Sequence, residues 1–176
     1  MTAQGKPGRF CGNGPMPIRD LQFKHVNLDA HLDVCLAFRR DTHRISYGTD
    51  QDFSASEAKD WFNSLAKDYP DGFLHAVLGD EIVGQLEFRS ALNDGKDEVF
   101  GYVNLFYLQP NYRQRGFGQL MHDYVLARFR LDKCSLAYLR YIPGNHLAER
   151  FYIKNGWQAS GEPGPRGQLM IKTLAT

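Results

Sequence analysis

The spacing of apolar positions changes along the chain, and each change marks an element. Leu21–Val26 alternates as a short strand. Leu28, Leu32, Cys35, Leu36 and Arg39 then share one helical face, with Asp29 placed to cap a helix running to about Arg40. The polar, aperiodic stretch Asp41–Phe53 predicts an irregular segment. Ser54-Ala55-Ser56-Glu57 forms a capping box, in which Ser54 accepts from the Glu57 amide while the Glu57 side chain reaches back. Behind it Ala58, Trp61, Phe62, Leu65 and Tyr69 recur at helical spacing until Pro70 stops the run.

Asp71-Gly72 turns the chain into a strand at Phe73–Leu78, and Gly79-Asp80 is a hairpin signal leading back through Glu81–Arg89. A polar loop, Ser90–Asp97, precedes a long strand from Glu98 or Val99 to Leu108. Leu120, Met121, Tyr124, Val125 and Phe129 form the stripe of a third helix over about Gly116–Leu131. Ser135–Tyr141 reads as a strand, and Pro143-Gly144-Asn145 opens a fourth helix that ends near Asn155-Gly156. Trp157–Ser160 and Gln168–Thr173 are two final strands around the Gly/Pro-rich loop Gly161–Gly167. The order predicts a mixed α/β (α+β) domain: a mostly antiparallel sheet of about seven strands with helices on both faces, not a doubly wound sheet. Met1–Pro17 has no periodicity and is expected to be a flexible arm ahead of one domain spanning residues 18–176.

Composition narrows the function classes. With 43% hydrophobic and 23% charged residues the chain is globular rather than disordered, and a net charge of +1 gives no global case for nucleic acid or an anionic membrane. Cys11, Cys35 and Cys134 are odd in number and show no C-x-x-C pair, so free thiols in a reducing, cytoplasmic setting are expected. No apolar run has membrane-spanning length, and no signal-peptide pattern opens the sequence. The six histidines lack metal spacing; His31 and Cys35 lie one turn apart but are only two, so no metal is expected. No nucleophile elbow is present.

The densest chemical signal lies between the long strand and the third helix, in Gln109-Pro110-Asn111-Tyr112-Arg113-Gln114-Arg115-Gly116-Phe117-Gly118-Gln119. Glycines at alternate positions let the backbone approach a ligand and turn its N–H groups inward. The helix start adds unpaired N–H groups and a positive dipole end, which together make a pyrophosphate cradle, and Arg113 and Arg115 add charge. A dinucleotide fingerprint would need glycine where Met121 stands, and a P-loop would need Gly-Lys-Ser/Thr.

Arg113-Gln114-Arg115-Gly116-Phe117-Gly118 resembles the Gln/Arg-x-x-Gly-x-Gly/Ala coenzyme A motif of GNAT-superfamily N-acetyltransferases. Asn145-x-x-Ala148-x-x-Phe151-Tyr152-x-x-x-Gly156-Trp157 is similar to that superfamily's fourth helix and following strand. The likeness runs from about residue 18 to the end and is weakest in the first helical region. It implies that the amides from Gln114 to Gln119 hold the pyrophosphate of acetyl-CoA. It also implies that the main chain of Phe106 and Leu108 pairs with the pantetheine arm, and that Asn145 contacts the cofactor beside capping its helix.

The same resemblance places Tyr152 beside the thioester sulfur, where a phenol can protonate the leaving thiolate. An oxyanion donor is expected in a backbone N–H near Leu108. The general base stays open. Where many members carry a carboxylate this chain has Tyr102 and Asn104, and Glu87, which faces away from Leu86 and Phe88, is the first candidate, ahead of Glu98. The acceptor pocket is expected along Asp41–Phe53, where Asp41, Asp50 and Asp52 balance Arg39, Arg40 and Arg44 and so do not name a substrate. The expected acceptor is a small-molecule amine. A protein or peptide amine, or a non-catalytic acetyl-CoA sensor, are the alternatives, and exposed edges near the C-terminal strands leave room for a homodimer.

Overall fold

A computed structural model describes residues 20–95 and 98–175. The expected arm at Met1–Pro17, with Cys11, lies outside the described residues. Strands β1 (Leu21–His25), β2 (Phe73–Leu78), β3 (Glu81–Asn93), β4 (Val99–Leu108), β5 (Leu136–Tyr141), β6 (Gln158–Gly164) and β7 (Gly167–Thr173) form one sheet in the order β1-β2-β3-β4-β5-β7-β6. Only β4 and β5 pair in parallel, so the expectation of a mostly antiparallel seven-stranded sheet is borne out. Helices α1 (Leu28–Tyr47), α2 (Ala55–Asp68), α3 (Phe117–Leu131) and α4 (His146–Lys154) cover it.

Each face has its own core. On one side Leu86, Phe88 and Val103 pack with Phe117, Met121, Val125 and Phe129 of α3. On the other, Phe62 and Leu65 of α2 meet Cys35 of α1 over Phe73. Removing that much apolar surface from water is the main stabilising contribution, at roughly 25 cal/mol per Å2. Among the described residues no helix is long and apolar enough to cross a membrane.

β6 runs on to Gly164, so the expected loop Gly161–Gly167 shrinks to a tight turn, and three further boundaries differ from the sequence expectation, each for a local reason. Asn27, not Asp29, caps α1: its backbone is extended and its side chain accepts from the Ala30 amide at 3.2 Å. Asp29 instead sits in the first turn, where its charge favours the helix dipole. The helix also continues two turns past Arg40 to Tyr47. Its polar last turns are held by the Thr42 hydroxyl donating to the Phe38 carbonyl at 2.8 Å and by the Asp41–Arg44 pair. Gly48 then closes it in a left-handed conformation, leaving only about residues 48–53 irregular. Strand β3 runs on to Asn93 rather than ending at Arg89, because Ala91 takes a positive φ of 55° and lets pairing resume at Leu92↔Phe100.

One irregularity shapes everything that follows. Glu87 pairs with Leu105 but Phe88 pairs with Val103, so Asn104 is a bulged extra residue on β4. Val103 faces α3, while Leu105, two residues on, packs with Phe38 of α1; an unbroken strand would put both on one face. At the same point β4 and β5 part, since their last pair is Val103↔Leu139. Beyond it β5 stays with β7 to Tyr141↔Gln168, and residues 104–108 of β4 have no partner on the β5 side.

Candidate active site

The separation of β4 from β5 opens a cleft of about 980 Å3. Its walls come from α1, β3, β4, β5, the start of α4 and the β6–β7 hairpin. At the far end of β4, Pro110–Tyr112 makes a single 3-10 turn and the chain enters α3 through Gly116. Gly116 has φ +86°, a left-handed conformation that a side chain would strain, and it gives α3 no side-chain cap. A Cβ added at Gly118 would meet no protein atom within 4 Å, so the space over the first turn is open to a ligand. The Phe117 ring, fully buried, pins that turn to the core. Gln119 directs its side chain away, donating to Asp123 and Asn155 at 2.8 Å each. The local build is a backbone cradle anchored from below and open above.

The two arginines of this loop are already engaged. Arg113 donates from Nε to the Leu108 carbonyl at 2.8 Å and approaches Asp41 at 3.5 Å. Burial opposes ionisation of Asp41, but the Tyr107 hydroxyl and the Arg44 and Arg113 guanidiniums together hold its carboxyl below the usual range. Burial, with Asp41 beside it, pushes the Tyr107 phenol up to about 12. Arg113 therefore ties the loop back to α1. Arg115 stacks over Tyr112 and Phe117, 5.7 Å from each ring centre, and lies exposed at the loop's rim. Gln114 has a positive φ of 58°, which helps the chain turn before Gly116.

Tyr152, Asn145 and Phe106 line the cleft, whereas Leu108 does not. Tyr152 stands on α4 among the rings of Tyr141, Phe151 and Trp157. Burial pushes its phenol up, so the hydroxyl keeps its proton through neutral pH. Asn145 caps α4, accepting from the Ala148 amide at 3.2 Å. Its capping and its place on the cleft wall coexist in one side chain.

Glu87 corrects an expectation. It does face away from Leu86 and Phe88, but it does not open on the cleft; it is fully buried. Arg39 grips it through Nε at 3.1 Å and through Nη2, Trp61 Nε1 donates to it at 2.6 Å, and Gln85 Nε2 at 2.8 Å. A carboxylate with four donors around it has no free lone pair facing the acceptor; it holds Arg39 in place on the cleft wall. Glu98 is exposed, lies just before β4 and is absent from that wall; its charge, after burial and with Asp94, helps push the Tyr138 phenol up.

The balanced charges expected along Asp41–Phe53 do not survive folding. Asp41 is held by Tyr107, Arg44 and Arg113, while Arg40 covers the Phe53 ring at 5.3 Å. Of the six charged residues named there, only Arg39 reaches the cleft, beside Thr42, His43, Ser46, Tyr47 and Phe53. Sequence reasoning missed the other cations of this wall, Arg89, Arg140 and Arg166. The only signal of Arg89 and Arg140 was a charged residue at alternating strand spacing, which reads equally well as solvent-facing, and Arg166 sits in the turn between β6 and β7, where a charge is ordinary. Among the described residues no group of three or more His, Cys, Asp or Glu is placed to hold a metal ion.

The profile of the Acetyltransferase (GNAT) family matches residues 35–157, well over half of the 176 residues. No curated protein sequence matches the chain significantly. Solved structures agree on the architecture. An acetyltransferase of the GNAT family from Staphylococcus aureus Mu50 superposes with a TM-score of 0.71 at 16% identity, over 88% of this chain and 99% of that one. A ribosomal-protein-alanine N-acetyltransferase from Brucella melitensis gives 0.67 at 18% identity, over 88% and 100%. The PaiA N-acetyltransferase of Thermoplasma acidophilum, solved in complex with coenzyme A, gives 0.63 at 15% identity, over 87% and 98%. At such identities the likeness is one of fold.

Proposed function

The chain belongs to the Acetyltransferase (GNAT) family, and from that premise we propose that it transfers an acetyl group from acetyl-CoA directly to the primary amine of a small molecule. The observation that carries this reading is the open backbone cradle at Gly116–Gly118 at the end of the partnerless edge of β4. A similar fold is known with coenzyme A bound, and the residues present here suit that ligand. Amides from Gln114 to Gly118 would hold its pyrophosphate, that of Gln119 already donating to the Gly116 carbonyl at 3.1 Å, and the free edge of β4 around Phe106 and Leu108 would receive its amide-bearing arm as an added strand. When bound, acetyl-CoA supplies an acetyl group activated as a thioester.

The chain's own residues then do the rest. The cleft holds the amine against the acyl carbon, and such positioning alone accounts for much of the acceleration. As the C–N bond forms and the C–S bond breaks, Tyr152 Oη gives a proton to the sulfur. The amine's surplus proton leaves to water through the open cleft, since Glu87 is committed to Arg39 and Trp61, and Tyr152 regains a proton from water before the next cycle. A backbone N–H near Leu108 is the candidate donor to the carbonyl oxygen.

Two coupled measurements test the proposal. Acetyl-CoA should raise the unfolding midpoint, as any ligand that binds only the folded state does. A free-thiol assay over a panel of small amines and peptides should then show amine-dependent thiol release. Turnover of peptides but not small amines would move the acceptor to a protein amine, and stabilisation without release under any amine would leave a binding module.

A further inference from the structure

Resting on that reading of the cleft, we infer that its acceptor half is a carboxylate subsite built on Arg89, so that the substrate is a small amine bearing a carboxylate. Four arginines line the cleft, Arg39, Arg89, Arg140 and Arg166, against a single carboxylate, Asp94. A cleft wall dominated by one sign of charge concentrates the opposite charge. Two of the four are spoken for: Arg39 is gripped by Glu87, and Arg140 donates from Nη1 to the Gly167 carbonyl at 2.9 Å. Arg166 is exposed on the hairpin.

Arg89 is different. It is half-buried, and no carboxylate of the described residues lies within ion-pair distance of it. Three aromatic rings frame its guanidinium instead, Trp61 at 5.7 Å, Tyr69 at 5.9 Å and Tyr102 at 5.5 Å. Nε points to Asn104 Oδ1 at 3.3 Å. That bond fixes the plane of the guanidinium and leaves the outer edge of two Nη groups for a ligand. A flat fork of parallel N–H groups between aromatic walls matches a planar carboxylate, and a partly desolvated cation lacking an anion gains most by acquiring one.

Position separates this subsite from the cradle. Arg89 stands opposite Tyr102, six residues before Leu108, so roughly 20 Å of strand lie between it and the glycine loop. Its guanidinium reaches the side chain of Asn104, the bulged residue where β4 and β5 part, at 3.3 Å. An acceptor anchored on Arg89 with its amine at the parting point is of amino-acid size.

The test uses matched acceptors in the thiol-release assay: amino acids against their amides, which keep the amine and lose only the negative charge. Amidation also lowers the amine pKa and enriches the reactive free base, so the comparison is biased against the inference. We expect the acid to exceed its amide by about 10–100-fold in kcat/KM, as a charge-assisted bidentate contact implies. In Arg89→Met that ratio should collapse towards unity, mainly through the KM of the acid, and Arg89→Lys should restore part of it. Midpoint stabilisation by acetyl-CoA should persist in both variants, which shows that they fold. Equal turnover of acid and amide by the wild type, or an unchanged ratio in Arg89→Met, overturns the inference while leaving acetyl transfer standing. Preference for an aminoalkyl phosphonate over the carboxylate of equal length overturns the carboxylate assignment. Absence of any stabilisation by acetyl-CoA would remove acetyl transfer itself, and this subsite with it.

Discussion

The two ends of β4 are built from different materials. Its C-terminal end offers a ligand main chain: a partnerless edge, a left-handed glycine and a first helical turn with open space at Gly118. Its N-terminal half offers a ligand a side chain instead: Arg89 of β3, opposite Tyr102 on the cleft wall and framed by Trp61, Tyr69 and Tyr102. Backbone amides serve a phosphate in any sequence that can adopt the turn. Side chains can be exchanged one at a time, so one fold can keep a donor while changing acceptors. The difference predicts that damage at the first end abolishes donor use and damage at the second redirects or loosens the acceptor.

The largest effect is expected where the two ends meet. Tyr152→Phe removes the proton at Oη but keeps the ring among Tyr141, Phe151 and Trp157. It should lower kcat by about 10²–10⁴ with little change in the KM of acetyl-CoA, measurable by steady-state thiol release. An unchanged kcat would mean that the sulfur leaves without this proton.

Glu87→Ala comes next and acts on stability. Deleting the carboxylate strands the Arg39 guanidinium and orphans the Trp61 N–H. Breaking a buried pair from one side costs about 3–5 kcal/mol. Arg39 is only partly buried, so the lower end applies, read as a drop in the denaturation midpoint. If Glu87 were instead a base, kcat would fall while the midpoint stayed put.

Gly118→Val should cost little in folding, because a Cβ at this position meets no protein atom within 4 Å, and yet fill the space proposed for the pyrophosphate. About 1–3 kcal/mol of acetyl-CoA binding, a 10–100-fold rise in its Kd, is the expected loss. Calorimetric titration checks it. Binding as tight as wild type would place the phosphates elsewhere.

The most gradual effect is in pH. Burial, with His31 nearby, holds His75 down at about 4, below its ordinary 6.5. Between those values the unfolded chain binds the proton and the folded chain does not, so stability is complete above about pH 6.5 and falls as pH drops towards 4. The slope from this one group is at most about 1.4 kcal/mol per pH unit. It should flatten in His75→Gln, measured by denaturation midpoints across that window.

The same division between main chain and side chain decides how much could be read from the sequence. The cradle was legible because glycines at positions 116 and 118 between a strand and a helix state a backbone requirement locally. Seven strands and four helices of the described residues followed from periodicity, and Ser54 caps α2 as spacing implies, accepting from the Glu57 amide at 3.3 Å, although the return bond from the Glu57 side chain does not form. The acceptor end was not legible. Glu87 meets Arg39 from 48 positions away and Trp61 from 26, and nothing local in strand alternation distinguishes a buried carboxylate from a solvated one. Arg89 was passed over for the same reason. The bulge at Asn104 was also invisible, since it appears only in the register against β3. The polar end of α1 misled because it is closed by the Asp41–Arg44 pair and the left-handed Gly48 cap, not by an apolar stripe.

Acetyl transfer is tested most directly by incubating the protein with acetyl-CoA and the amine panel, following thiol release and product mass together. The account predicts acetyl-CoA-dependent stabilisation, release that requires an amine, a product heavier by one acetyl group, and collapse of the rate in Tyr152→Phe. No shift in the unfolding midpoint at acetyl-CoA concentrations well above micromolar, with no amine acetylated, would contradict it.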